Sequence, residues 1–428
     1  MTHRFWMALS LALAAAGLNG CGGGSLAKEG YVRLLNATTD YPSLDLFSST
    51  TGVSGAVLAE SVGDYAKLAK ASVTFNLKVT GSGGVVVSSS QTIGTDLRNT
   101  LVAYTSGGTL KTAYLDDNEA APSANAAKFR VFHAAATEAG KVDVYLTSGT
   151  CAALPSSAVA TAASLSELGA YAEVSVGSYR VCVTGVGDKA DLRLDIAALA
   201  LANQQIGTLV LTRSGGGVLL NGMLLNQQGT LTRARNTSAR VRVAASASAT
   251  GIVNATANGV ALGGNYASPA VGTYRLVPAG ALAVSASING VPVPATGLNA
   301  PAGADLTLLL AGTSAAPTVA LLNDDNTPST SSTNSARLRL VNGLNGAPGG
   351  LTLTYDNAVV ADSVAFSAAA TAGNVAPSST TTRLEVTYAG ASLYLTTGTA
   401  APLVAGKVYT LFLLGDAAAP TGIFRVDR

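Results

Sequence analysis

The sequence predicts an all-β protein: four tandem immunoglobulin-like Greek-key β-sandwich domains behind an export signal. Three observations predict it. One short segment recurs four times, as Tyr31-Val32-Arg33-Leu34-Leu35-Asn36, Phe129-Arg130-Val131-Phe132-His133, Val241-Arg242-Val243 and Leu338-Arg339-Leu340-Val341-Asn342. The four arginines stand 97, 112 and 97 residues apart, a period of domain size rather than of a small solenoid unit. Within each unit apolar residues alternate with polar ones, the period of a strand with one buried face. Such strands arrive every 8–15 residues with Gly, Asn, Ser or Pro between them, which is the cadence of a sandwich of about seven strands.

The first element is the signal. Arg4 precedes an uncharged apolar stretch over 5–18, followed by Leu18-Asn19-Gly20-Cys21. Fourteen residues are too few to span a bilayer comfortably and suit a signal-peptide core. Leu18-Asn19-Gly20-Cys21 resembles the bacterial lipobox. That resemblance implies a signal peptide over 1–20, lipidation of the Cys21 thiol and a lipidated tether over 21–29. Gly22-Gly23-Gly24-Ser25 is a flexible coil, as an anchored domain requires. It favours this reading over an ordinary signal peptide cut near a free cysteine. Several acyl chains on one residue give stable membrane attachment. Gly rather than Asp at position 22 favours the outer membrane, by resemblance to enterobacterial sorting. The expected membrane partner is therefore met through the N-terminal lipid.

The domains follow as 30–118, 128–226, 239–326 and 336–428. Three of them close alike, on Leu115-Asp116-Asp117-Asn118, Leu225-Asn226 and Leu322-Asn323-Asp324-Asp325-Asn326. Linkers rich in Ser, Thr, Ala and Pro come next, over 119–127, 227–238 and 327–335. Second strands alternate in Leu44-Asp45-Leu46-Phe47 and Val142-Asp143-Val144-Tyr145. Short helices over 164–168 or 195–201 would not alter the architecture. The later part of a unit carries Gly177-Ser178-Tyr179-Arg180 and Gly272-Thr273-Tyr274-Arg275. Tyr171 lies eight residues before Tyr179, and Tyr266 eight before Tyr274. Tyr65 and Phe75 fill similar places in the first unit. The last unit ends on Ala405-Gly406-Lys407-Val408-Tyr409-Thr410-Leu411.

The ordered set of these motifs resembles the bacterial secreted family known as domain of unknown function 4397, over nearly all of 30–428. The resemblance implies β-sandwich domains of cell-surface and secreted proteins. It implies no activity and no catalytic residue.

Composition narrows the function classes. Charged residues make up 12% of the chain and the formal net charge is +2, so a nucleic-acid partner, which needs a clustered basic face, is not expected. Apolar residues at 48% are enough to build cores. Outside the signal there is one histidine, His133, and no Gly-x-Ser-x-Gly or His-Glu-x-x-His. A zinc centre or a Ser-His-Asp triad therefore lacks its parts, and no catalytic residue, metal centre or cofactor is expected. His133 reads as a polar residue at a strand end.

Cys151 and Cys182 fall in one domain, which outside the cytoplasm favours a disulfide over two buried thiols. Asp116, Asp117, Asp324 and Asp325 are candidate ligands for a weakly held calcium ion at the domain ends, or plain turn residues. Arg33 with Asp45, and Arg130 with Asp143, are candidate cross-strand pairs. Gly185-Val186-Gly187-Asp188-Lys189-Ala190 has the outline of a dinucleotide fingerprint but no βαβ setting, and reads as a hairpin turn. Ser25-Leu26-Ala27-Lys28 matches a hydrolase Ser-x-x-Lys by chance.

The expected function is that of a lipid-anchored, non-enzymatic envelope protein displaying its domains for adhesion, binding or spacing, with a glycan or protein partner at the cell surface. Laid end to end, the domains would make a rod on the order of 150 Å long. The alternative is a carbohydrate-binding surface module, with the repeated tyrosines stacking on sugar.

Overall fold

The computed structural model describes residues 28–428 apart from 158–159, 163–167, 249–250, 330–333, 348, 379–382 and 398–401. Cys21, the signal and most of the tether lie outside the described residues.

The first domain shows the plan. Its strands are β1 (Glu29–Asn36), β2 (Ser43–Ser48), β3 (Thr51–Leu58), β4 (Ser61–Val62), β5 (Ala66–Ala69), β6 (Ser72–Val79), β7 (Val85–Thr92), β8 (Arg98–Ser106) and β9 (Thr109–Asp116). One sheet runs β4-β1-β8-β9, with β5 also on β1, and the other runs β3-β2-β6-β7. All pairs are antiparallel except β1 with β8, which is parallel. The other three domains repeat this order, each with a parallel pair between its opening strand and the counterpart of β8. The sandwich fold read from the sequence is thus present four times.

Each domain buries its own core between its two sheets. In the first, Val32, Leu34, Leu44, Leu46, Phe75, Leu77 and Leu101 pack together. The second strand carries a further device. Asp45 Oδ1 accepts from the Ala56 amide at 2.6 Å and from the Thr80 hydroxyl at 2.8 Å. Ala56 has φ +52° at an irregularity in the β2–β3 register, and the carboxylate fixes that bulge. Asn254 does the same for Asn265, whose φ is +53°. Asp143 accepts from Gly187 at 2.9 Å. The apolar-Asp-apolar motif therefore holds a neighbouring strand or turn. It does not form the expected pairs of Arg33 with Asp45 and Arg130 with Asp143, because those arginines point to the opposite face of the domain.

Three further expectations change. Residues 195–201, one candidate helix, lie within the strand Asp188–Leu201, and part of 164–168 lies outside the described residues. The helix that is found spans Ala136–Ala139. Leu231–Ala234, read as linker, pairs with Leu220–Asn226 and extends the sheet of the second domain. Finally, the domains do not run end to end. The outer faces of their β1–β8 sheets pack in pairs, first on second and third on fourth. Leu35, Val102, Tyr104 and Leu115 meet Phe132, Val210, Met223 and Leu225 in one buried cluster, with Tyr104 edge-on to Phe132 at 5.4 Å. Ala244, Leu309 and Ala311 meet Val341, Phe412 and Leu414 in the other. The hairpin over 185–190 is as expected, with Gly185 opposite Asp188. Among the described residues no helix is long and apolar enough to cross a membrane.

Candidate functional site

The recurrent arginines converge on these two interfaces. The parallel register sets each opposite a threonine of the counterpart of β8: Arg33 with Thr100, Arg130 with Thr208, Arg242 with Thr307 and Arg339 with Thr410. In all four the arginine Nε donates to the threonine Oγ1, at 2.8, 2.9, 2.9 and 2.7 Å. The arginines are buried, from 1 to 7% exposed. A guanidinium cannot shed its charge there, so each needs acceptors on every side.

Between the third and fourth domains the acceptors are two carboxylates. Arg242 meets Asp324 at 3.2 Å and Asp427 at 2.5 Å; Arg339 meets the same two at 3.1 and 2.9 Å. The result is a closed ring of alternating charge with one Arg and one Asp from each domain, and both carboxylates have no exposed side-chain surface. Thr307 donates to Asp324 and Thr410 to Asp427, each at 2.5 Å. Tyr274 donates to Asp324 at 2.6 Å and stacks its ring 4.4 Å from the Arg242 guanidinium. Burial pushes the Asp427 carboxyl up, but Arg242, Arg339 and Thr410 outweigh it and hold it below the usual carboxylate range. Burial and Asp324 raise the Tyr274 hydroxyl well above the ordinary phenol value, so it stays a donor.

Between the first and second domains there is one such carboxylate, Asp117. By register the matching place in the second domain is Gln227. Asp117 lies 3.8 Å from Arg33 and accepts from Thr100 at 2.5 Å and Tyr65 at 2.6 Å. Burial raises its pKa, against the lowering effect of Thr100, Tyr65, Arg33 and Arg130. Backbone carbonyls supply the remaining acceptors across the interface. Arg33 donates to Gly229 O at 2.6 Å and Asn226 O at 3.1 Å, and Arg130 to Asp116 O at 3.2 Å. The rings of Tyr65 and Tyr171 lie 4.5 and 4.2 Å from the two guanidiniums.

The Asp-Asp-Asn segments are therefore built differently from the expected calcium sites. Asp117 and Asp324, candidate calcium ligands, pair with guanidiniums instead. Asp116 accepts from the Asn118 amide at 2.9 Å. Asp325 accepts from Thr327 N at 3.1 Å and Arg337 at 3.0 Å. The tyrosines read as a sugar platform, Tyr65, Tyr171, Tyr179, Tyr266 and Tyr274, are all half-buried. Three of them stack on arginines, and Tyr179 and Tyr266 pack against the domain cores. Phe75 is wholly internal.

His133 is fully buried at the end of its strand, with Nε2 bonded to Gly140 O at 2.8 Å. Burial lowers its pKa to about 4, with Arg193 and Arg428 adding to the effect. Cys151 and Cys182 form a disulfide with an S–S distance of 2.02 Å. It consumes both thiols of the Cys151, Cys182 and Asp195 group. Thr410 stands in the closing motif, and Asp427 carries no signal of its own; Thr100, Thr208 and Thr307 were not singled out from the sequence. Their signal was legible, since a threonine precedes Leu in each counterpart of β8.

The family model described as "Domain of unknown function (DUF4397)" matches residues 30–145 and 239–349, together more than half of the chain. No curated protein matches it. Among solved structures, a carbohydrate-binding module of family 26 from Eubacterium rectale, crystallised with maltoheptaose, aligns at 8% identity. That alignment covers 48% of this chain and 95% of the module, with a TM-score of 0.15. The TIE protein of Bacillus anthracis aligns at 12% identity over 90% of this chain and 68% of its own, with a TM-score of 0.14. At these scores neither alignment bears on fold or function.

Proposed function

The chain belongs to the DUF4397 family, and from that premise we propose that it is a non-enzymatic protein of the cell envelope. In this reading it is anchored in the outer membrane by lipid on Cys21 and presents its paired sandwich domains for binding or spacing. The observation that carries the reading is the use made of the recurrent charged residues. Arg33, Arg130, Arg242 and Arg339, with Asp117, Asp324 and Asp427, are spent on joining domain to domain out of reach of solvent. Burying the recurrent charges as ion pairs between domains favours a packing role over chemistry on a substrate, and this supports the reading. The apolar stretch over 5–18 and the Gly20-Cys21-Gly22 sequence support the anchor. Paired domains offer a stiffer body than four beads on linkers, which suits display at a membrane surface.

The test is metabolic labelling with an alkyne fatty acid in a bacterium carrying the full chain. The unmodified chain should take up label and fractionate with outer membranes, and Cys21→Ser should do neither. Equal labelling of both, or a native N-terminus bearing an unmodified residue 21 by mass spectrometry, would overturn the anchor.

A further inference from the structure

We propose that the cleft where the first three domains meet binds a small oxyanion, a carboxylate or phosphate group. The cleft encloses about 410 Å³, and its walls include Glu60, Arg213, Ser214, Gly215, Gly216 and Arg235. That is the size of a site for a small molecule rather than a macromolecular face.

Its two guanidiniums are each tied to a carboxylate, and one of these, Glu60, also lines the cleft. Arg213 uses one nitrogen, Nη2, on both oxygens of Asp40, at 2.6 and 2.8 Å. Arg235 uses Nε, at 2.8 Å, and Nη2 on one oxygen of Glu60, a carboxylate only 2% exposed. Nε and Nη1 of Arg213 and Nη1 of Arg235 then donate to no protein group among the described residues. Nor do the amides of Gly215 and Gly216, which sit in a turn with φ +42° at Gly216. Among the described residues, five donors on residues that line this cleft are thus left without a protein acceptor. The side chains of Arg213 and Arg235 remain 32 and 67% exposed, so the cleft is open to a ligand.

The charge count points the same way. Arg233, two residues from Arg235 and outside the cleft lining, donates to Glu60 O at 2.6 Å and Ser61 Oγ at 2.8 Å and has no carboxylate partner among the described residues. Three guanidiniums thus stand against Asp40 and Glu60, one positive charge in excess, and a bound monoanion would balance it. Forked guanidinium donors fit the paired oxygens of a carboxylate or phosphate. This inference is independent of membrane anchoring and survives its failure.

The experiment is titration of the full chain with inorganic phosphate, D-glucuronate and neutral D-glucose, by calorimetry and by the amide resonances of Gly215 and Gly216. The expected result is saturable, salt-sensitive binding of one or both anions with Kd on the order of 1 mM, shifts at both glycine amides, and no glucose binding. Phosphate binding alone would assign the site to free or esterified phosphate, and glucuronate alone to an acidic sugar. Arg213→Gln and Arg235→Gln should each weaken binding about tenfold or more. Absence of saturation by either anion up to about ten times that concentration, glycine amides that stay still, or equal binding of glucose would overturn the proposal. The amide shifts are read on the unmodified chain and so decide the matter even if a variant misfolds.

Discussion

Asp427→Asn should destabilise the third and fourth domains by about 3 kcal/mol, the lower end of the 3–5 kcal/mol for breaking a buried ion pair. The Asp427 side chain has no exposed surface, and it accepts from Arg242 at 2.5 and 3.2 Å, from Arg339 at 2.9 Å and from Thr410 at 2.5 Å. Asparagine keeps the shape and one carbonyl acceptor but removes the charge. Two buried guanidiniums then share Asp324 as their one carboxylate, with Asn326 Oδ1 a neutral acceptor 3.1 Å from Arg339. The first pair of domains lives with one carboxylate because Gly229, Asn226 and Asp116 lend backbone carbonyls. Among the described residues Arg242 has no such carbonyl: its partners are Thr307, Asp324, Asp427 and the faces of Tyr274 and Phe412.

For a unit of this size 1 kcal/mol moves the melting temperature by about 2–4 °C, so a drop of roughly 6–12 °C is expected by differential scanning calorimetry. A drop below about 2 °C would refute the reasoning, for the ring would then be no tighter than an exposed pair. A second variant separates breaking the ring from removing it. Replacing Arg242 and Arg339 by Met and Asp324 and Asp427 by Leu leaves no charge unpaired. It should melt within a few degrees of the unmodified chain or above it.

Three other outcomes follow from the geometry. His133 is held neutral down to a pKa of about 4 against an ordinary value of 6.5. The unfolded chain therefore takes up the proton first, and stability falls as pH drops from 6.5 to 4 by about 3 kcal/mol, at about 1.4 kcal/mol per unit. His133→Asn, the residue found at positions 36 and 342, should abolish the loss in that window, and an unchanged acid limb in urea titrations would refute it. The Asp427 pKa is lowered, so its share of stability is lost only further down, as pH falls below 3.8 through the folded value. Cys151→Ser with Cys182→Ser opens a 31-residue loop and should cost about 3–4 kcal/mol in denaturant unfolding; equal midpoints with and without the bond would count against it. Gly217→Ala places a methyl 2.5 Å from the Asp305 carboxylate, itself clamped by Arg240 at 2.7 Å. The two pairs of domains should part and the radius of gyration rise in small-angle scattering, whereas an unchanged curve would show that the turn yields instead.

The sandwich was legible because alternation and turn residues are local. The pairing of domains was written in the same strands but in a different feature. Leu34-Leu35, Leu340-Val341, Leu308-Leu309-Leu310 and Leu411-Phe412-Leu413-Leu414 break the alternation, and a strand apolar at consecutive positions is buried on both faces. The alternation around Arg33 alone predicts a solvent face. In fact that face is covered by a second domain, and Arg33 is 3% exposed. The Asp-Asp-Asn segments misled for a related reason. A carboxylate beside a linker looks exposed in sequence, and only the sheet register reveals that Asp117 and Asp324 lie one residue beyond a strand end, beside a buried arginine. The tyrosine repeat was visible, but its pairing with an arginine 32 to 41 residues earlier on the adjacent strand was not.

Each interface satisfies two of the four recurrent arginines, by different means, and the difference restricts which domains can pair. The first pair has two tyrosine rings, one carboxylate and three lent carbonyls. The second has two carboxylates and one tyrosine, since Ala372 stands where Tyr65, Tyr171 and Tyr274 stand in the other domains. The second domain has no carboxylate of its own in this place, and pairing two copies of it would bury two guanidiniums with no counter-charge. That mismatch, costing several kcal/mol, opposes association between neighbouring molecules through their second domains. It leaves the first domain, which brings Asp117, as the fitting partner within the chain. The irregular member of the repeat is thus the one that gives the assembly its order.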